Sequence, residues 1–320
     1  MIEDYSLTVL GCSSATPNSV RFPSSQVLHF LGKYFLLDCG EGTQMQLRRA
    51  KVPFENINAI FISHLHGDHY FGLFGLLASL NLTGRKTPLV IYGPQGLEEL
   101  VMFQFKQDSQ QWKFPVFFKT LPKEPFACIE EKKNYKIYSI ALSHRIDCWG
   151  FYFVENERER NILKSAIQQY GIGVEEIKSI KQGADLQLDN GTVIPNGEIT
   201  TDPLPSFSYA YIADTIAKPE IAQYIQGVRL MYHEATFLQN YEDLAKETFH
   251  STARQAAECA KLAHAEKLIV GHYSARYKST EGHKKEAEDV FENVELASDL
   301  YVYTLDKAPY CIWSPKNVSE

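Results

Sequence analysis

The run Ser63-His64-Leu65-His66-Gly67-Asp68-His69 constrains this chain more than any other feature. Four side chains able to ligate a metal fall within six residues, directly after the apolar stretch Ala59-Ile60-Phe61-Ile62. That stretch is short and rich in β-branched residues, so it reads as a buried strand. The ligands then sit on the loop leaving the strand's C-terminal end, where alternate side chains can turn toward one point. Imidazole and carboxylate without thiolate suit zinc, and also manganese or iron. A His-rich solvated turn is the bland alternative; the spacing and the placement after a strand argue against it.

A chain of 320 residues with 44% hydrophobic residues can bury a sizeable core, as one large domain or two medium ones. No apolar run approaches a membrane span. The start, Met1-Ile2-Glu3-Asp4-Tyr5, does not read as a signal peptide. Cys12, Cys39, Cys128, Cys148, Cys259 and Cys311 are scattered, with no CxxC spacing. They read as free thiols in a reducing cytoplasm. The net charge of -7 argues against a generally basic nucleic-acid binder but leaves room for a local basic patch.

Strand-like runs occur at Ser6–Leu10, Gln26–Phe30, Tyr34–Asp38, Ala59–Ile62 and Leu89–Tyr92. In the second half they occur at Lys136–Ile140, Gly150–Val154, Ser208–Ile212, Arg229–Tyr232, Lys267–Val270 and Leu300–Tyr303. Helical patterns fall at Thr43–Ala50, Tyr70–Leu80, Gly96–Lys106, Thr252–Ala263 and Lys284–Glu292. Many strands with peripheral helices suggest a layered α/β body with sheets packed face to face. Tyr70 to Leu82 is apolar nearly all round, which suits a core helix or one under a partner subunit. Glu155 to Pro203 breaks the rhythm: it is polar and carries Gly171, Gly173, Gly183 and Gly191. It reads as an inserted arm, with helices at Glu157–Tyr170 and Val174–Gln182 and a hairpin turn at Asp189-Asn190-Gly191. An ordinary surface excursion has the same composition.

A two-metal site needs more ligands than one loop offers. Three strand-like runs end in candidates: His144 after Tyr138–Ser143, Asp214 after Tyr209–Ala213, and His272 after Leu268–Gly271. A lone His after a strand is more often structural. Three such ends in one chain weaken that reading, and Asp can bridge two cations through its two oxygens.

With these residues assembled, the chain resembles the metallo-β-lactamase superfamily and, within it, the short-form ribonuclease Z family. The resemblance runs through Leu10-Gly11, Ser14-Ala15-Thr16-Pro17, Asp38-Cys39-Gly40-Glu41-Gly42-Thr43-Gln44 and the His64–His69 run continuing into Phe71-Gly72-Leu73. It continues through Tyr92-Gly93-Pro94, Ala213-Asp214-Thr215, His233-Glu234-Ala235-Thr236, His250-Ser251-Thr252 and Gly271-His272-Tyr273-Ser274-Ala275-Arg276-Tyr277. The HxHxDH run identifies only the superfamily; the later motifs point to the narrower family. It implies one four-layer αββα sandwich domain over residues 1–320, with the arm at 155–203 as a tRNA-binding exosite. It implies two Zn²⁺ per chain, with Mn²⁺ or Fe²⁺ as substitutes: one on His64, His66 and His144, the other on Asp68, His69 and His272, bridged by Asp214. It also implies a homodimer, and a reaction that frees the 3′ trailer from a tRNA precursor. Thr215 is expected near the phosphate and Asp68 as general base.

Two departures stand out. The arm stretch Gly171–Gly183 lacks the Gly-Pro step of relatives and carries Glu175 and Glu176, and Phe74 stands where relatives often have Pro. For the proton needed by the leaving oxygen, His250 is the candidate donor, oriented or relayed through Glu234, because imidazole titrates in the useful range. Alternatively, His250 is a helix N-terminal residue beside the cap candidates Ser251 and Thr252, and His233 and Glu234 make a buried strand-end hydrogen bond. Candidate phosphate-binding cations are Arg48, Arg49 and Lys51; Arg85 and Lys86; Arg276 and Lys278; and, on the arm, Arg158, Arg160, Lys164, Lys178 and Lys181. Arg276 leads, four residues past a candidate ligand. A second reading is a hydrolase of a small phosphodiester, sulfate ester or lactone, which needs neither arm nor Arg276. A third is a metal-stabilised scaffold without catalysis.

Overall fold

The computed structural model describes residues 5–15, 20–107, 112–203, 205–305 and 313–317. Thr16, Pro17 and Cys311 lie outside the described residues. Two compact units are present: Met1–Glu131, Ile137–Phe153 and Ser208–Glu320 form the first, Lys132–Lys136 and Val154–Phe207 the second.

The first unit is built around two sheets. One has eight strands in the order Trp313–Asn317, Tyr301–Leu305, Tyr5–Gly11, Ser25–Phe30, Lys33–Leu37, Ile57–Phe61, Leu89–Gly93 and Val116–Thr120. The other has seven: Val294–Leu296, Lys267–Gly271, Leu230–Glu234, Ser208–Ile212, Cys148–Glu155, Tyr135–Leu142 and Phe126–Glu131. Alternation along each strand makes the layers. Phe30, Phe35 and Phe61 face inward and meet Phe151 and Phe153 of the other sheet at ring distances of 5.2 to 6.4 Å. Their neighbours Leu36 and Ile60 face outward, into a cluster with Leu47, Leu73, Leu76, Leu77, Val101 and Phe105 from three helices, Thr43–Arg49, Gly67–Leu82 and Leu97–Gln107. On the other sheet, helix Ala253–Leu262 packs against strand Lys267–Gly271 and buries Ala253, Ala256, Ala257, Cys259 and Ala260. Thr252 caps it: its hydroxyl accepts from Gln255 N, and the Gln255 side chain accepts from Thr252 N. Helix, sheet, sheet and helix give the expected αββα layering.

Lys33–Leu37, Ile57–Phe61, Leu89–Gly93 and Val116–Thr120 are parallel neighbours, as are Ser208–Ile212, Leu230–Glu234, Lys267–Gly271 and Val294–Leu296. Parallel strands leave loops at one end, where open α/β sheets bind ligands. The His64–His69 run, Asp214, Glu234 and His272 all lie at such ends.

Helix Gly67–Leu82 buries His69, Leu73, Leu76, Leu77, Leu80 and Asn81 on one face, whereas Phe71 and Leu82 are 57% and 68% exposed. It is therefore a core helix on one side only. The edge strand Val116–Thr120 and its neighbour in sequence, Phe126–Glu131, were not foreseen, because both mix exposed and half-buried positions. Helix Glu242–Thr248 was also missed, and the helix expected at Lys284–Glu292 runs Glu281–Glu288. Among the described residues every cysteine is free, and no helix is long and apolar enough to cross a membrane.

The second unit has its own apolar cluster of Ala166, Ile172, Ile180, Leu186 and Ile199. Its first helix is Lys164–Tyr170, shorter than the expected Glu157–Tyr170, because Arg158 and Arg160 precede a short strand, Asn161–Ile162, and turn back onto carboxylates. Arg158 grips Glu155 through two bonds of 2.8 and 2.9 Å, Arg160 meets Asp202, and Lys181 lies 3.2 Å from Glu159. Three of the five cations named for this segment are thus paired within it. Lys164 and Lys178 are exposed. Leu186–Gln187 and Val193–Ile194 pair around the Asp189-Asn190-Gly191 turn.

Candidate metal centre

Four of the five predicted ligand histidines are held by a partner that fixes which ring nitrogen faces inward. Ser63 Oγ donates to Asp38 Oδ2, so it accepts from His64 Nδ1, 3.0 Å away. Asp38 Oδ2 accepts from His69 Nδ1 at 2.8 Å. The Phe249 carbonyl accepts from His144 Nδ1 at 2.8 Å. Thr236 Oγ1 donates to Glu234 Oε2 and so accepts from His272 Nδ1 at 2.9 Å. In all four rings Nδ1 donates outward, so Nε2 is the nitrogen turned to the site, where it can carry a proton or give its lone pair to a cation. His66 presents Nδ1 instead, 3.0 Å from His64 Nε2 and 3.1 Å from His144 Nε2.

Among the described residues the inward atoms form three groups: His64, His66, His144 and Asp214; Asp68, His69 and His272; and Asp214, His250 and His272, which shares a member with each of the others. Asp214 Oδ2 lies 3.6 Å from His64 and 3.4 Å from His69; its Oδ1 lies 3.2 Å from His272. Asp68 Oδ2 lies 3.5 Å from both His69 and His272. Two ligands at about 2.1 Å from one ion, at a tetrahedral angle, stand about 3.4 Å apart. The donor spacings therefore fit divalent ions. Asp214 Oδ1 is buried and, among the described residues, accepts no hydrogen bond, which also fits a cation partner. Burial would raise the Asp68 and Asp214 carboxyls. Facing imidazoles outweigh it, His69 for Asp68 and His272 with His69 for Asp214, and hold both well below the usual range, ionised as ligation requires. Asp38 and His272 take left-handed φ values of 53° and 62°, uncommon for residues with a Cβ.

A family model described as anti-Pycsar protein Apyc1 matches residues 5–166. Ribonuclease Z of Bacteroides thetaiotaomicron is 42% identical over 305 residues, covering 95% of this chain and 96% of that protein. Ribonuclease Z of Cytophaga hutchinsonii is 44% identical and covers 92% and 95%. The chain belongs to the ribonuclease Z family. The crystal structure of the short form of human tRNase Z superposes with a TM-score of 0.69 at 26% identity, over 94% of this chain and 99% of that one. The metallo-β-lactamase fold protein YhfI from Bacillus subtilis shares the fold, with a TM-score of 0.65 at 19% identity over 93% and 99%.

In this ribonuclease Z family member the seven candidate ligands converge, and His250 and Glu234 stand beside them. A cavity of about 600 Å³ is lined by His66, Asp68, His144, Asp214, His250 and His272 among others. Glu234 is fully buried and accepts from Thr215 N, Thr236 N, Thr236 Oγ1, Ser251 N and His250 Nδ1. So many donors keep it an anion. Burial alone would depress His250, but the Glu234 charge and hydrogen bond outweigh it and hold the imidazole up at about 9.

Two residues named from the sequence are engaged in the fold. Thr215 is buried; its hydroxyl accepts from Ser143 N and donates to Ile216 O, and its carbonyl accepts from Ser251 Oγ. It braces the loops beside Asp214. Arg85 is also buried, and its guanidinium donates to the carbonyls of Glu55, Ile57, Thr87 and Pro88, so it stitches loops together. Arg276 is exposed, held between the rings of Phe237 and Tyr241 at 5.0 and 4.8 Å. Phe237 lines the cavity, which places Arg276 one side chain away from it. Arg145 was passed over: it follows His144, is exposed and lines the cavity. Asp38 was quoted only as part of a motif. Its left-handed backbone and its four hydrogen bonds to Ser63, His69 and Tyr211 give it an orienting role.

Proposed function

We propose that this protein is a zinc-dependent endoribonuclease that removes the 3′ trailer from tRNA precursors. Membership of the ribonuclease Z family, across more than nine-tenths of the chain, carries the substrate. The converging ligands support the chemistry. His64, His66 and His144 would hold one ion and Asp68, His69 and His272 the second, with Asp214 close to both sets. The pair, when bound, supplies hydroxide near neutral pH and offsets charge on the phosphate oxygens.

This chain's residues do the rest. Asp68 orients the attacking water and takes its proton. Attack at phosphorus breaks the bond to the 3′ oxygen. His250, protonated at neutral pH and pinned through Nδ1 to Glu234, gives its other proton to that oxygen. Glu234 orients the ring rather than relaying a proton, since its five donors leave it no reason to leave the anionic state. The products are a tRNA with a free 3′ hydroxyl and a trailer with a 5′ phosphate. Arg276 and Arg145 hold flanking phosphates. The segment 155–203 serves as a tRNA-binding arm, mainly through Lys164 and Lys178. Mn²⁺ or Fe²⁺ can replace zinc, the protein works in the cytoplasm, and it pairs as a homodimer.

The test is incubation with a tRNA precursor bearing a 3′ trailer, with and without chelator, followed by mapping of both new ends. Cleavage at the trailer junction that chelator abolishes is the predicted result. Failure to cut, or cutting that survives full metal removal, would contradict the proposal.

A further inference from the structure

Asp299 stands outside the metal site, yet three donors converge on it. Its Oδ1 accepts from Cys12 N and from the Cys12 thiol, both at 3.2 Å, and its Oδ2 accepts from Phe22 N at 2.7 Å. Cys12 directly follows strand Tyr5–Gly11, and Phe22 lies three residues before the start of strand Ser25–Phe30. The ends of this Cys12–Phe22 connection are also tied to each other, Ser13 N donating to Phe22 O at 2.9 Å. Three residues after Cys12, Ala15 N donates to Asp68 Oδ2 at 2.7 Å. Ser14 N donates to the carbonyl of Tyr273, the neighbour of His272, and Tyr273 N donates to Cys12 O. One carboxylate thus anchors a short segment that touches Asp68 directly and the His272 strand end through the backbone.

We infer that Asp299 is a positioning residue, which fixes both ends of the Cys12–Phe22 connection and through Ala15 holds the Asp68 carboxylate in place. This rests on the reading of Asp68 as ligand and base. The groups facing Asp299 set its charge. Burial pushes its carboxyl up to about 6, with the hydrogen bonds from Phe22 and Cys12 and the charge of Arg21 opposing. At neutral pH it is therefore ionised and accepts all three donors. Its neutral form would turn a hydrogen toward one of them.

Asp299→Asn imitates that loss without a change of size. The amide offers one oxygen and aims N–H₂ at the other donor, so one end is released. Zinc held by the folded holoenzyme is measured by competition with a chromogenic chelator. One of the two ions should be bound about 10–100-fold more weakly and the other as in the native chain, as for other residues that orient metal ligands. The kcat for tRNA precursor should fall while KM holds. Asp299→Ser, which leaves room for water at both donors, should give the same selective loss and serves if the amide variant does not fold. Folded variants that keep both ions at native affinity, or that lose both together, overturn the inference, as does failure of both variants to fold. A native protein that binds two zinc ions but does not cut tRNA precursor overturns the functional proposal instead, and the zinc competition still decides the role of Asp299.

Discussion

Replacing His283 by phenylalanine should make the protein markedly less sensitive to acid. His283 is fully buried, with ring distances of 4.9 Å to Tyr273 and 4.7 Å to Tyr277, the residues that follow the His272 strand end. Among the described residues neither ring nitrogen makes a hydrogen bond of normal geometry. Burial, with the Arg21 charge adding to it and the Thr280 backbone weakly opposing, pushes the imidazole down to about 4. In the unfolded chain it titrates near its ordinary value of about 6.5. Above that value it is neutral in both states and contributes nothing to the pH dependence. As pH falls below it, the unfolded chain takes up a proton that the native one refuses, so stability is lost until the native ring also titrates. The gap of roughly 2.5 units, at about 1.4 kcal/mol each, gives a full loss of about 3.5 kcal/mol. Asp299 acts with the opposite sign. Its raised carboxyl contributes stability that is complete below its unfolded value and is lost as pH rises through about 6. Subtracting the variant's unfolding free energy from that of the native chain removes this and every other shared group. Urea unfolding between about pH 7 and pH 4.5 should show the two chains nearly equal at the top of the range, or the variant slightly ahead because two unpaired nitrogens are gone. The difference should widen toward acid by about 2–3 kcal/mol. A flat difference would mean that His283 titrates alike in both states, and the account of its pocket would be wrong.

Other substitutions separate chemistry from binding. Asp68→Ala should abolish cleavage yet largely spare tRNA affinity, and His250→Ala should slow single-turnover cleavage by about 10²–10⁴-fold; near-normal cleavage by the latter removes His250 from the mechanism. Asp38→Asn should weaken zinc binding about 10–100-fold, read by chelator competition, because His69 loses its anionic partner. Deleting Glu157–Gly197 should lower affinity for tRNA precursor and flatten its salt dependence, while hydrolysis of a small model phosphodiester persists. Unchanged precursor binding would shift recognition to Arg48, Arg49 and Arg276.

The fold and the site differed in how far the sequence exposed them. The ligand loop was legible because a β-branched run ends where the His64–His69 motif begins, and His144, Asp214 and His272 were legible because each also closes an apolar run. Spacing shows position but not environment. Arg85 and Lys86 look alike in sequence, yet the first is buried on four carbonyls, a fate set by loops distant in the chain. Arg158, Arg160 and Lys181 looked available for phosphate because their carboxylate partners depend on how the second unit folds. Trp313–Asn317 was hidden by Pro315, which argues against a central strand but is tolerated at a sheet edge, where this strand lies. Asp38 gave one signal that could have been used: an Asp closing a buried run, followed by Gly40 and Gly42, marks a turn whose carboxylate points back into the fold.

The central claim is that a pair of metal ions, held by these seven side chains, cuts the tRNA precursor. The direct measurement is stepwise return of zinc to chelated protein, with bound metal and cleavage followed together. Cleavage should stay low until the second equivalent per chain is bound and then saturate. Full activity with no zinc, or with a single equivalent per chain, would contradict it.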